Sequence, residues 1–221
     1  ETRKFTTLLQ MLTSVNHPIF VTGGTGTGKS MIVQKFIQDQ RQNERVSIMP
    51  IVMNFSAQTS AASTLQDIDS KITKKGGKVY GAQGNAQTLI FIDDVNMPQV
   101  GDGAQPPIEL LRQIIDTRNF YELSKFERKE LERFTFVCAA APPSGGRSAI
   151  TPRFMRHFQI ANMPEATEET LTHIFESILG GFFQHKRFSE NIKKSTAVQA
   201  TIDMYLQVQK TMLPIPAKFH Y

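Results

Sequence analysis

The chain has 221 residues, 40% of them hydrophobic, a net charge of +5 from 25 Lys and Arg against 20 Asp and Glu, and one cysteine. A chain of this length buries roughly 70–75% of its unfolded surface, enough for one substantial α/β core with a small appendage. The lone Cys138 excludes disulfide support within the chain and suits a reducing compartment, and no apolar run approaches the roughly 20 residues of a membrane span.

Phe5, Leu8, Leu9 and Leu12 fall at helical spacing, an amphipathic lead-in with neither signal nor transit character. The start at Glu1 instead of Met reads as a segment excised from a longer chain. Pro18-Ile19-Phe20-Val21-Thr22 reads as a short buried strand, and it runs into Gly23-Gly24-Thr25-Gly26-Thr27-Gly28-Lys29-Ser30. That string fits G-x-x-x-x-G-K-[ST], the phosphate-binding loop of nucleoside triphosphatases. A polyphosphate needs inward-turned backbone N–H groups, and glycines at 23, 24, 26 and 28 let the chain take φ > 0 and approach phosphate oxygens without Cβ clashes. Lys29 then reaches the β- and γ-phosphates and Ser30 offers a hydroxyl to Mg²⁺. The helix that follows aims its positive N-terminus at the anion. Thr25, Thr27 and Met31 complete the nucleotide-contacting run, and Met31, Ile32, Val33, Phe36 and Ile37 give the helix, which runs to about Arg41, an apolar face.

A second strand spans Val46 to Phe55, with Pro50 favouring its start or a sheet edge. A helix carrying Leu65, Ile68 and Ile72 follows, and Lys74-Lys75-Gly76-Gly77 breaks the pattern. Leu89-Ile90-Phe91-Ile92 has the continuous apolar character of a central strand covered on both faces, and it ends in Asp93-Asp94. Beside a phosphate loop, the first of two strand-end acids holds Mg²⁺ through water and the second polarises the attacking water. The bland alternative is a turn-forming Asp pair.

Pro106 opens a helix with Ile108, Leu110, Leu111, Ile114 and Ile115. Phe120 to Phe134 reads as an inserted hairpin, Thr135 to Ala140 as another buried strand, and Pro142 to Arg147 as loop. A short helix at 151–158 and a fifth strand at 159–162 close the core. After Pro164 the pattern is helical: Leu171, Ile174, Phe175, Ile178, Leu179 and Phe182 form one stripe that must pack on something, and a second helix covers about Glu190 to Met212. The expected organisation is an α/β core over 1–163 and the start of a helical lid over 164–221. The basic clusters at Lys71, Lys74, Lys75 and Lys78 and at Lys186, Arg187, Lys193 and Lys194 have no interleaved aromatics on which bases could stack, so they read as solvated faces, with no nucleic-acid partner expected. The five histidines show no metal-ligand spacing.

Longer strings carry a more specific signal. Asn54 to Ser60, Phe91-Ile92-Asp93-Asp94-Val95-Asn96-Met97-Pro98, Gly103 to Gln113, the tract Phe136 to Phe158 and Leu213 to Lys218 together resemble an AAA+ module of a dynein heavy chain, most closely the third module of an axonemal dynein. The resemblance implies a P-loop NTPase fold, a five-stranded parallel sheet sandwiched by helices and followed by a lid. It implies one of six modules in a ring within a single long polypeptide, ATP or ADP with Mg²⁺ as cofactors, and a microtubule motor of cilia or flagella. Microtubules would be contacted through other parts of the parent chain, with dynein intermediate and light chains as further partners. Cytoskeletal localisation in the axoneme follows. In such rings an arginine near the end of the core reaches the nucleotide of the adjacent module, and Arg153 in Pro-Arg-Phe matches that arginine finger best, with Arg156 next.

Two departures from the general AAA+ pattern point to slow hydrolysis, which suits the regulatory role that the resemblance to a third dynein module implies. The water-polarising residue is usually Glu, but here it is Asp94, and a carboxylate set back by about 1 Å can cost on the order of 10²-fold in rate. The polar sensor residue after the fourth strand should fall near Ala139 to Ala141, none of which has a polar side chain. The lid arginine of the family pattern would lie beyond Tyr221. A ring chaperone ATPase of the MoxR group, built from separate chains, is the alternative, and a clamp-loader-like ATPase a third.

Overall fold

The computed structural model describes residues 2–42, 47–101, 103–143, 146–183 and 194–212. Its first half runs α1 (Thr2–Ser14), β1 (Ile19–Gly23), α2 (Lys29–Gln42), β2 (Ile48–Asn54), α3 (Ala61–Asp69), β3 (Thr73–Gly76), β4 (Val79–Gly81) and β5 (Gln87–Asp93). There follow α4 (Pro106–Thr117), β6 (Asn119–Tyr121), β7 (Arg128–Leu131), β8 (Phe134–Ala140), α5 (Pro152–Met155), β9 (Gln159–Met163), α6 (Glu168–Phe183) and α7 (Lys194–Thr211). The chain divides into two compact units, Glu1–Met163 and Pro164–Tyr221.

In the first unit, five strands form the expected parallel sheet in the order β2-β5-β8-β1-β9. Successive side chains of a strand face opposite ways, and the core divides accordingly. Ile19 and Val21 of β1, Leu89 and Phe91 of β5, and Val137 and Ala139 of β8 pack with Leu9 of α1 and Val33, Phe36 and Ile37 of α2. Phe20, Ile90, Ile92, Phe136 and Cys138 pack the other way, against Leu65 and Ile68 of α3, Ile108, Leu111 and Ile114 of α4, and Phe154 of α5. Each fully buried Phe or Ile contributes about 1.5–3 kcal/mol, and the three central strands supply Ile19, Ile90, Phe91, Ile92 and Phe136.

Local chemistry places the helices. Ser60 and Ser63 form a reciprocal capping box at the start of α3, and Pro106 occupies the first turn of α4, where its missing N–H has no helical partner to lose. Pro50 lies within β2, which pairs only with β5, so the edge reading of that proline holds.

A second sheet, β3-β4-β7-β6, was only half foreseen. The inserted hairpin is β6 and β7, joined antiparallel from Asn119↔Glu130 to Tyr121↔Arg128. Its partner, the β3–β4 hairpin, corrects the reading of 74–77 as a simple break: Gly77 takes φ +55 at the turn, and β4 runs parallel to β7. Lys129 of β7 pins this sheet to α3 through hydrogen bonds of 2.7 and 2.9 Å to the Asp69 carboxylate, with its ammonium over the Tyr80 ring.

In the second unit α6 and α7 pack on each other. Val198 and Ile202 are buried, but the expected stripe on α6 is only partly covered: Leu171, Phe175 and Leu179 are half-buried, while Ile174, Ile178 and Phe182 are exposed. The first residues of the anticipated second helix, Glu190–Lys193, the cluster residues Lys186 and Arg187, and the Leu213–Lys218 string lie outside the described residues, as does Val46 of the anticipated second strand.

Candidate functional site

All five parallel strands end at one edge of the sheet, and there the phosphate-loop residues and the strand-end acids meet. They do not meet as neighbours. β8 lies between β1, which delivers the loop, and β5, which delivers Asp93.

Gly23 is the last residue of β1 and pairs with Met163 of β9. A Cβ there would lie 2.6 Å from the Met163 carbonyl oxygen, so only glycine lets the two strand ends approach this closely. Gly26 and Gly28 take φ +81 and +88 in the turn, and a Cβ on either would meet nothing within 4 Å. The loop is therefore an open, left-handed cradle at these two positions. Gly24 corrects the expectation for all four glycines. It has no positive φ; its role is its carbonyl, which accepts from Thr27 Oγ1 at 3.0 Å and from Lys29 Nζ at 2.7 Å.

α2 begins at Lys29, with Ile32 N–H closing the first helical bond to Gly28 O at 3.0 Å. The Lys29 side chain is 8% exposed and folds back over the loop, its ammonium donating also to Gly23 O at 2.9 Å. Burial pulls its pKa below the ordinary lysine value, and the negative charges of Asp94 and then Asp93 partly restore it. The ammonium is thus within the field of both strand-end acids. Ser30 is half-buried in the first turn of α2, Thr25 is exposed, and Thr27 is half-buried. Met31 is 70% exposed, off the buried face formed by Val33, Phe36 and Ile37.

Asp93 closes β5, paired in register with Asn54. Its Oδ1 accepts the Asp94 N–H at 3.1 Å, and its carbonyl accepts Phe55 N–H at 2.9 Å. Asp94 sits at φ +49, a left-handed conformation that Asp tolerates better than most residues. Arg147 Nη2 lies 3.6 Å from Asp94 Oδ1. Between acids and loop, β8 ends in Ala139 and Ala140, both buried, and Ala141 follows them.

Two residues to which the sequence patterns assign no role are built into this edge. Asn96 is 2% exposed, and its Nδ2 donates to Ala141 O at 2.8 Å while its carbonyl accepts Ser148 N–H at 3.0 Å. Arg147 is the other. Their signals were present: Asn96 stands two residues after the acid pair, and Arg147 is the first cation after β8. Of the finger candidates, Arg153 is exposed and has no partner among the described residues, whereas Arg156 reaches Asp116 Oδ1 of α4 at 3.4 Å. A hollow of about 230 Å³ lined by Phe20, Thr22, Asn96, Ala140, Pro142 and Ile150 lies under the loop after β8. None of residues 23–30 lines it and most of its wall is apolar, so it is no phosphate cradle.

The donor set fits a nucleotide with Mg²⁺: an open turn with two glycines at positive φ, a buried ammonium, one hydroxyl and one carboxylate, Mg²⁺ being a cation that takes few protein ligands beside phosphate oxygens and water.

The comparisons with known proteins agree with one another. A family model described as the P-loop containing dynein motor region matches residues 1–166. Dynein axonemal heavy chain 6 of Homo sapiens is 41% identical over 224 residues, covering 100% of this chain and 5% of that protein. Dynein axonemal heavy chain 12 of Mus musculus is 37% identical, covering 100% of this chain and 7% of its own length. Dynein axonemal heavy chain 1 of Homo sapiens is 37% identical over 237 residues, again across 100% of this chain and 5% of its own. The chain therefore spans only 5–7% of the length of these relatives.

Proposed function

The chain belongs to the family of the P-loop containing dynein motor region, and from that premise we propose that it is an ATP- and ADP-binding AAA+ module of an axonemal dynein heavy chain, the third module of its ring, acting in microtubule-based ciliary movement. The observation that carries this reading is the buried Lys29 ammonium, drawn over a loop open at Gly26 and Gly28 and acted on by both Asp93 and Asp94.

In this reading the amides of residues 23–31 hold the α- and β-phosphates, and Lys29 moves from the Gly23 and Gly24 carbonyls to the β- and γ-phosphates. Ser30 and Asp93 hold Mg²⁺, which neutralises developing phosphate charge when bound. Asp94 orients the attacking water. Its short side chain, together with the apolar Ala139–Ala141 segment, makes hydrolysis slow and suits a regulatory site that answers to a neighbouring module. Arg153, exposed and unpartnered among the described residues, is the cation offered to the nucleotide of the adjacent module, while Arg156 serves α4 through Asp116. Residues 164–221 form the beginning of the lid. The partners are the adjoining modules of the same polypeptide, microtubules through other parts of it, and intermediate and light chains, in the axoneme.

Titration calorimetry with ADP and Mg²⁺ tests the reading. One saturable site that is lost in Lys29→Ala supports it; equal affinity in that variant refutes the assigned loop.

A further inference from the structure

Arg147 stands at the same sheet edge, outside both motifs. Its side chain is only 13% exposed, and its Nη2 lies 3.6 Å from Asp94 Oδ1, beyond the reach of a good N–H···O bond. Its Nε is fully enclosed and has no hydrogen-bond partner among the described residues. A guanidinium donor left this way is costly, and Asp94 alone does not satisfy it.

The chain at Ala141 and at Ser148 is nonetheless tied down. Asn96, two residues beyond Asp94, holds both ends of the loop after β8: its amide side chain donates to Ala141 O and its main-chain carbonyl accepts Ser148 N–H. Arg147 is therefore placed relative to the end of β5 by a buried brace. Its charge is also felt at Lys29, whose ammonium it disfavours. Two cations, one on the loop and one beyond β8, thus act on each other across the space at this edge, where Asp93 and Asp94 are the anions among the described residues that act on Lys29. A polyanion entering that space relieves the repulsion between them, and most strongly at the end that carries the most charge.

We propose that Arg147 binds the terminal phosphate of ATP from within the same module, supplying the polar contact that Ala139, Ala140 and Ala141 cannot, and so sets a preference for ATP over ADP. The inference rests on the nucleotide reading of the site and adds to it the residue that distinguishes the two nucleotides. A guanidinium presents a fork of donors matched to phosphate oxygens, and a phosphate that draws the side chain out of its enclosed position gives Nε the partner it lacks among the described residues. With ADP, Arg147 keeps Asp94 as its neighbour, the arrangement in the structure.

The test is titration of the full 221-residue chain with ADP and with a non-hydrolysable ATP analogue, both with Mg²⁺, for the wild type, Arg147→Ala and Arg147→Gln. The expected result is a fall of about tenfold or more in the analogue-to-ADP affinity ratio in both variants, the loss of one charge-assisted contact. Arg147→Gln fills similar space without the charge and decides the matter if the alanine variant does not fold. A wild type that binds both nucleotides, with an unchanged ratio in Arg147→Gln, overturns this inference alone. A wild type that binds neither overturns the nucleotide reading and the inference together.

Discussion

Replacing Lys29 by alanine separates the site's two demands on that side chain. Lys29 donates to two loop carbonyls at 2.9 and 2.7 Å and is nearly enclosed, but its burial penalises the charged form strongly enough to lower its pKa. The lost hydrogen bonds and the removed desolvation cost oppose each other, so the net change in stability should be about 1 kcal/mol, a shift in Tm of roughly 2–4 °C for a unit of this size. Nucleotide affinity has no such offset. With ADP only the β-phosphate contact is there to lose, and one charge-assisted contact, at about 1.5–3 kcal/mol, corresponds to a loss of roughly 10- to 10²-fold. Calorimetric titration with ADP and Mg²⁺, beside a thermal melt of the same samples, reads both quantities. A variant that melts like the wild type and binds ADP within about twofold of it refutes the assignment. The pH dependence supplies a second check. Because the folded-state pKa of Lys29 is lowered, its burial penalty is fully present below that value and disappears as pH rises towards 10.5. Across that window the wild type should gain stability relative to Lys29→Ala; the opposite slope contradicts the burial argument.

Gly23→Ala places a Cβ 2.6 Å from the Met163 carbonyl and forces β1 and β9 apart, so a loss of about 1–3 kcal/mol in a urea melt is expected, and an unchanged midpoint contradicts the close approach. Asp94→Glu extends the carboxylate by one methylene and should raise single-turnover hydrolysis, with about 0.5–1 kcal/mol of added strain because position 94 sits at φ +49; an unchanged rate moves the cause of slow turnover to Ala139–Ala141 or to the absent neighbour. Lys129→Met leaves Asp69 and Glu122 without their cation at the junction of β7 and α3 and should cost about 1–3 kcal/mol. Desolvation lowers the Lys129 pKa, but the Asp69 hydrogen bond and charge, with Glu122 and Tyr80, leave it raised, so this contribution is complete below 10.5 and is lost as pH climbs through the raised value. Cys138 is fully buried and its thiol is pushed up by desolvation, so a thiol reagent should label the chain only under unfolding conditions; fast native-state labelling would show that β8 is not a central strand.

What could be read from the residues was what local chemistry imposes. The phosphate loop announces itself because glycine and lysine spacing answers directly to phosphate geometry, and β5 does so because a strand covered on both faces has to be apolar at every position. The β3–β4 hairpin was missed for the converse reason. Thr73 to Gly76 is wholly exposed and lysine-bearing, and what makes it a strand is the chain of pairings through β4 to β7, some fifty residues later, which no local pattern records. Gly24 shows the same limit within a recognised motif, since its conformation follows from bonds to Thr27 and Lys29. Arg147 lies in a loop of unremarkable composition, and only the folding of Asn96 against Ala141 and Ser148 brings it to Asp94. The α6 stripe was legible as apolar, but its period says nothing of what covers it.

The central claim is that one Mg²⁺-nucleotide is held between residues 23–30 and Asp93. Equilibrium dialysis of the chain against labelled ADP, with and without Mg²⁺, for the wild type and Asp93→Ala tests it most directly. One site per chain is expected, with an affinity that rises when Mg²⁺ is added and a rise that is abolished in Asp93→Ala. Absence of saturable binding, or a Mg²⁺ effect that survives the loss of the Asp93 carboxylate, would contradict it.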